Sequence, residues 1–218
     1  MSPQYRGFER QDIFPGAFSK VQMETLINID KAISLFLNGV TGRWWLLDEL
    51  VKGLANDYFL IVGASLGLLF LWFGANEMRQ REVNQKSVLQ AMASLGIATG
   101  LVDILNYFFF RPRPFSEIAV TPLLYQPTDS SFPSNSAAIL FAIAFAVWFS
   151  NKKAGRIFFA IAIVHSFCRV VAGMYYPLDI IGGAALGVTS ALFVRWLFAR
   201  LDLFIHFVLR LARTVFLA

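Results

Sequence analysis

The segments NYFFFRPRP at residues 106–114, FPSNS at 132–136 and CRVVAGMYYPLD at 168–179 decide how the rest of the chain is interpreted. Each places arginine, serine or aspartate beside a long apolar run. Arginine pairs with phosphate oxygens through two parallel N–H groups, and a serine hydroxyl adds a further donor. The three segments therefore predict an anion site where several apolar helices end.

The composition indicates a lipid bilayer as the solvent for most of the chain. The 218 residues are 57% hydrophobic and 15% charged, with a mean hydropathy of +0.59. Soluble domains average about 25% charged residues, so a soluble globular protein is disfavoured. The single cysteine, Cys168, excludes an internal disulfide. The first residues lack the pattern of a cleaved signal peptide.

Apolar runs of nearly spanning length cover most of the chain. A helix needs about 20 apolar residues to cross about 30 Å of hydrocarbon. Five runs approach this length: 57–75, 87–110, 137–150, 157–175 and 178–199. The predicted fold class is all-α, a polytopic membrane helix bundle of about five to six transmembrane helices with N-terminal amphipathic helices.

We predict a single membrane domain over residues 1–218. Its parts are an irregular arm at 1–20, interfacial helices at 21–55, a transmembrane core at 57–199 and a tail at 200–218. The charges within 21–55 make this stretch too polar to span comfortably, whereas its tryptophans suit the headgroup level. The tail mixes arginines with Phe and Leu, so it is either an extension of the fifth span or a cytoplasmic, interfacial helix.

The basic residues orient the five predicted spans. The loops 76–86 and 151–156 and the C-terminal tail all carry Lys or Arg, and alternating spans place all three on one side. Basic loops face the cytoplasm. The loop 111–136 and the turn near 173–178 are then extracytoplasmic. We expect an integral protein of the bacterial cytoplasmic membrane with its pocket facing outward.

Three side chains are the candidate phosphate ligands: Arg113, Ser134 and Arg169. An arginine at membrane depth is costly without a partner, so it is a functional candidate by default. The helix expected after Ser134 adds free N–H groups and a positive dipole end. The alternative is that the arginines only extend to lipid headgroups. Three such segments on one face favour the anion site.

The three motifs resemble the phosphatidic acid phosphatase type 2 and vanadium haloperoxidase superfamily, in its small integral-membrane lipid phosphatase branch. That family's pattern is Lys-x6-Arg-Pro, Pro-Ser-Gly-His and Ser-Arg-x5-His-x3-Asp. The resemblance implies that Arg113, Ser134 and Arg169 bind phosphate and that Asp179 orients the nucleophile. It also implies substrates such as phosphatidic acid or polyprenyl pyrophosphate.

The chain departs from the family pattern at three chemical positions. Asn106 replaces the lysine, Ser136 the histidine that serves the leaving group, and Tyr175 the histidine that attacks phosphorus. A tyrosine in water ionises near pH 10, so about 0.1% is phenolate at pH 7. A serine cannot supply the acid's proton at accessible pH. The two histidines of the chain, His165 and His206, are at neither place.

Three further expectations concern neighbouring residues. Tyr175 is predicted to bond its hydroxyl to Asp179, one turn later. Asp103, on the face of Asn106, is predicted to pair with Arg169 or Arg113. Small residues of the fifth span are predicted to form a close helix contact: Gly182, Gly183, Ala184, Ala185 and Gly187.

The functional hypothesis is a non-catalytic pseudophosphatase that binds a lipid phosphate headgroup or serves as an accessory subunit of a membrane complex. One alternative is an active lipid (pyro)phosphatase with a noncanonical nucleophile, either Tyr175 or water. The other is a purely structural subunit without a ligand. Expected partners are membrane lipids, including lipid phosphates, and membrane-protein subunits. No metal, cofactor or nucleic acid is expected.

Overall fold

The computed structural model describes residues 20–201, and in this range the chain forms helices and connecting loops without a strand. The predictions for the N-terminal arm, for His206 and for nearly all of the tail lie outside the described residues. The helices are α1 (Lys20–Asn38), α2 (Trp45–Ala55), α3 (Phe59–Phe73), α4 (Met78–Phe108), α5 (Pro114–Glu117), α6 (Asn135–Ser150), α7 (Lys152–Val171) and α8 (Pro177–Arg200).

Helix α6 lies at the centre of the bundle and packs on α4, α7 and α8. Its apolar composition fits this position, because it has no polar stripe that would need water. Leu140, Ile143 and Val147 are fully buried and belong to one core cluster with residues of α3, α4, α7 and α8. The all-α fold class is therefore confirmed.

Two glycines of α8 allow its backbone to approach α6 closely. A Cβ atom at Gly183 would lie 2.3 Å from the carbonyl oxygen of Ser134, and one at Gly187 would lie 2.4 Å from that of Ala138. Both distances are shorter than any side chain tolerates, so this face of α8 must stay small. The predicted small-residue contact is confirmed at these positions.

We expect Gly187→Ala to lower the free energy of unfolding by about 1–3 kcal/mol, because the added methyl group forces two helix backbones apart. Gly96→Ala is the matched control, since a Cβ atom there would meet nothing within 4 Å. The control should be neutral or slightly stabilising, because alanine favours helix more than glycine does. Thermal unfolding of both variants in detergent checks this, and equal melting temperatures would refute the close-contact role.

A helix occupies each of the five predicted spans, but their lengths differ. By length and composition alone, α4, α7 and α8 can each cross a membrane. Helices α2 and α3 satisfy the same criterion only together, as a pair bent by 47°. Helix α6 is apolar but has only 16 residues. The described residues thus hold three or four candidate spans plus one shorter apolar helix.

The structure corrects the two predicted basic loops. Helix α4 begins at Met78 rather than near residue 87, so most of the expected loop is helical. Its 31 residues extend about 46 Å, which exceeds the hydrocarbon thickness, so the helix is long enough to span it and still leave its basic first turns outside. The second loop shrinks to Asn151, whose side chain caps α7 by accepting from the backbone N–H of Ala154 at 3.1 Å.

The ends of several helices meet at one end of the bundle, where the three motifs lie. The backbone N–H of Ser134 donates to the carbonyl oxygen of Asp179 at 3.0 Å, which joins the start of α6 to the start of α8. Asn38, the last residue of α1, donates to the carbonyl oxygens of Val171 at 2.9 Å and Thr121 at 3.0 Å. These bonds fix α1, the loop after α5 and the end of α7 around one region.

Candidate functional site

Arg113 and Arg169 converge on the aromatic ring of Tyr175. The guanidinium carbon of Arg113 lies 4.4 Å from the ring centroid, and that of Arg169 lies 5.0 Å from it. Both arginines are almost fully buried. Guanidinium groups are attracted to the face of an aromatic ring, so Tyr175 holds two like charges near each other. The structure thus brings together two predicted ligands that are distant in sequence.

Arg113 is held by three partners. It donates to the carbonyl oxygen of Met174 at 3.1 Å, the carboxylate of Asp129 at 2.9 Å and the hydroxyl of Tyr175 at 3.2 Å. Burial acts to lower the pKa of the Arg113 guanidinium, but Tyr175 and Asp129 beside it raise that pKa above its ordinary value. Arg113 therefore keeps its positive charge inside the protein.

Arg169 is held by the end of α2 and by the connection between α2 and α3. Its Nη1 lies 3.2 Å from the carbonyl oxygen of Ala55 and 3.2 Å from a carboxylate oxygen of Asp57. Its Nε is buried and lacks a hydrogen-bond partner among the described residues. One donor of this buried guanidinium is therefore unsatisfied by the described residues.

The predicted bond between Tyr175 and Asp179 is wrong. The Tyr175 hydroxyl accepts from Arg113, whereas Asp179 accepts from the backbone N–H of Tyr176 at 2.9 Å and from Arg111 at 2.6 Å. The reason is helix capping: Asp179 is the third residue of α8 and folds back onto the residue that precedes the helix. The carboxylate is thereby held by its own helix terminus and by Arg111.

Arg111, Asp30 and Asp179 form a buried ion network beside the candidate site. Arg111 donates to both carboxylates at 2.6 Å, and these carboxyl groups are essentially inaccessible to solvent. Asp30 also accepts from the backbone N–H of Leu178 at 2.9 Å. Burial opposes the charge of Arg111, but Asp179 and Asp30 raise its pKa above the ordinary value. The network anchors α1 to the start of α8.

Asp103 does not pair with Arg113 or Arg169 as predicted. Its side chain is exposed, whereas the adjacent Val102 is fully buried, because successive residues of a helix point about 100° apart. The carboxylates that pair with the two arginines are Asp129 and Asp57. Sequence analysis missed both, since they lie in loops with no periodic pattern.

Ser134 and Ser136 lie at the start of α6. Ser134 is the N-cap, and its hydroxyl accepts from the backbone N–H of Ala137 at 3.4 Å and lies 3.4 Å from the Ser136 hydroxyl. Both are buried. Asn106, in the last turn of α4, keeps a buried side-chain oxygen without a hydrogen-bond partner in the described part of the chain. No hydrogen bond links these three side chains to Arg113 or Arg169 within residues 20–201.

His165 lies one helical turn before Arg169 and faces α2. Its Nδ1 is 3.0 Å from the carbonyl oxygen of Leu54, and its Nε2 is buried without a partner among the described residues. The ring helps to fasten α2 to α7, and it occupies none of the three motif positions. The structure therefore assigns His165 a packing contact.

Comparison with known proteins identifies the family of this chain. The model of the PAP2 superfamily matches residues 87–202, which include all three motifs. The bacitracin transport permease protein BcrC of Bacillus licheniformis is 31% identical over 181 residues, 83% of this chain and 85% of that protein. The undecaprenyl-diphosphatase BcrC of Bacillus subtilis is 33% identical over 153 residues, 70% of this chain and 75% of that protein.

A solved structure shows the same fold. The crystal structure of Aquifex aeolicus LpxE superposes with a TM-score of 0.61 at 26% sequence identity, covering 75% of this chain and 92% of that one. The chain belongs to the PAP2 superfamily and is an integral membrane protein.

Proposed function

We propose that this protein binds the phosphate headgroup of a membrane lipid at Arg113, Arg169 and Ser134. One observation carries the proposal: two buried guanidinium groups meet at one tyrosine ring, and Arg169 retains an unpartnered donor there. Buried arginines in a membrane protein are costly and mark functional sites. Their forked N–H groups match phosphate oxygens, and the start of α6 adds a positive dipole end at Ser134.

The ligand class follows from the relatives. One relative is named an undecaprenyl-diphosphatase, so its substrate is a lipid whose headgroup is a diphosphate. A polyprenyl diphosphate or a lipid phosphomonoester offers the oxygens that two arginines and a serine can bind. Basic residues lie at the start of α4 and at the start of α7, and these are the ends far from the candidate site. Because basic ends face the cytoplasm, this favours a pocket on the outer side of a bacterial cytoplasmic membrane.

The geometry best supports binding without turnover by the family's histidine chemistry. By the motif resemblance, Tyr175 corresponds to the attacking histidine, and its hydroxyl accepts from Arg113. By the same resemblance, Ser136 corresponds to the second histidine, and its hydroxyl contacts that of Ser134. A tyrosine is almost entirely un-ionised near neutral pH and is therefore a weak nucleophile, and a serine is not a general acid there. The protein would then act as a headgroup receptor, alone or as an accessory subunit of a membrane complex.

Hydrolysis of the lipid phosphate is the second candidate, and the comparisons favour it. A relative that covers more than two thirds of this chain is named for diphosphatase activity. In this chain the attacking group would be the Tyr175 hydroxyl or a water molecule held by Arg113 and Arg169. The two guanidinium groups would stabilise the charge on the transferred phosphoryl group in either case.

We expect Arg169→Ala to weaken lipid-phosphate binding by about 10- to 100-fold, because a charged hydrogen-bond donor contributes about 1.5–3 kcal/mol. Arg43→Ala removes an exposed positive charge outside the site and is the matched control. Calorimetric titration of the protein in detergent with phosphatidic acid and with undecaprenyl diphosphate measures binding. Inorganic phosphate assayed in the same samples measures turnover.

The outcomes separate the candidates. Binding that Arg169→Ala weakens and Arg43→Ala does not, without phosphate release, supports the receptor. Phosphate release that Arg169→Ala abolishes establishes the enzyme. If wild type and both variants bind neither lipid, the protein is a structural subunit and the proposed site is refuted.

A further inference from the structure

We infer that Asp57 and Asp129 are internal counter-anions that a ligand must displace, so that they select doubly charged phosphate groups over phosphodiesters. This inference rests on the proposed function, because it concerns the affinity of the same site. Each arginine of the site is paired with one of these carboxylates. The two guanidinium groups and the two carboxylates together carry no net charge.

Asp57 forms an ion pair with Arg169 and lies at the break between two helices. It lies in the short connection between α2 and α3, and one carboxylate oxygen is 3.2 Å from Arg169 Nη1. The other oxygen accepts a hydrogen bond from the Tyr125 hydroxyl at 3.0 Å. The Asp57 side chain is 27% exposed. The carboxylate is therefore positioned by a non-helical connection and a surface tyrosine, and solvent reaches it.

Asp129 forms a similar ion pair with Arg113. Its carboxylate lies 2.9 Å from Arg113 Nη2, and its backbone carbonyl lies 3.4 Å from Arg113 Nε. The side chain is 62% exposed and belongs to the loop between α5 and α6. The Asp129 carboxylate is largely hydrated already, so leaving Arg113 costs it little desolvation, and an incoming anion can take its place against the buried guanidinium.

Charge decides which ligand can replace both carboxylates. A phosphomonoester carries about −1.5 to −2 charges near pH 7, whereas a phosphodiester carries a single one. A monoester or diphosphate thus restores the charge balance at two arginines, and a phosphodiester does not. Phosphate can also accept from Arg169 Nε, which Asp57 leaves without a partner. Most bilayer lipids are phosphodiesters, so the carboxylates would keep the site free of them.

The test compares Asp57→Asn with Glu49→Gln in detergent-solubilised protein. Glu49 lies on α2, is exposed and pairs with Lys52, so its neutralisation changes the net charge equally without touching the site. Inorganic phosphate and phosphatidylglycerol micelles are the two probes. We expect Asp57→Asn to bind inorganic phosphate about tenfold more tightly than wild type and to gain detectable phosphatidylglycerol binding. Glu49→Gln should match wild type for both probes.

An unchanged or weaker affinity of Asp57→Asn for inorganic phosphate would overturn the inference, provided that the wild type binds phosphate and Arg169→Ala binds it more weakly. If no variant binds phosphate, the proposed function fails together with it. Tyr125→Phe removes only the hydroxyl that positions Asp57. It should raise phosphate affinity by a smaller factor, and it tests the inference even if Asp57→Asn does not fold.

Discussion

Arg111→Met is expected to lower the free energy of unfolding by about 3–5 kcal/mol, because it leaves two carboxylates buried without their cation. Asp30 and Asp179 have almost no solvent access, and each accepts a hydrogen bond from Arg111 at 2.6 Å. Methionine preserves most of the apolar volume of the arginine stem. The loss therefore reports the unpaired charges and not a cavity.

Thermal or denaturant unfolding in detergent measures the effect, and the double variant Arg111→Met with Asp30→Asn is the diagnostic comparison. Neutralising Asp30 removes one of the two unpaired charges, so the double variant should be more stable than Arg111→Met alone. Lys52→Met breaks an exposed ion pair with Glu49 and should change stability little. A double variant less stable than Arg111→Met would show that the network contributes packing instead of charge balance.

The sequence alone does not reveal this network. The Arg-Pro-Arg-Pro pattern predicts a phosphate ligand at Arg113 and no partner for Arg111. Asp30 lies in a mixed helix with other charges nearby, so nothing in the local sequence distinguishes it from a solvated carboxylate. Its burial follows from the contact of α1 with the start of α8, which is a tertiary property.

The helices were predictable because apolar runs and their ends are local features. The convergence of Arg113 and Arg169 was predictable because both flank helix ends on one side of the bundle. The pairing of those arginines was not, because Asp57 and Asp129 lie in irregular segments whose paths depend on the whole fold. Asp179 was assigned to the wrong partner, since a carboxylate in the first turn of a helix can bond its own backbone instead of a nearby side chain.

The triple substitution Asn106→Lys, Ser136→His and Tyr175→His is expected to release phosphate from undecaprenyl diphosphate at least about 100-fold faster than the wild type. Position 175 lies between the two arginines, where an imidazole would face a bound phosphate. Position 136 lies beside Ser134 at the start of α6. A positioned acid or base contributes about 10²- to 10⁴-fold to a rate, and this variant adds both a nucleophile and an acid.

Tyr175→His alone should gain much less, because it adds a nucleophile without the acid that Ser136→His supplies or the cation that Asn106→Lys supplies. Adding Arg169→Ala to the triple variant should abolish the gain, which ties turnover to this site. Tyr175→Phe in the wild-type background tests the rival route. If the wild type already releases phosphate as fast as the triple variant and Tyr175→Phe stops it, the tyrosine hydroxyl is the nucleophile and the receptor function is refuted. If the triple variant binds phosphate but releases none, the Asp179 carboxylate stays bonded to Arg111 and does not orient the introduced histidine.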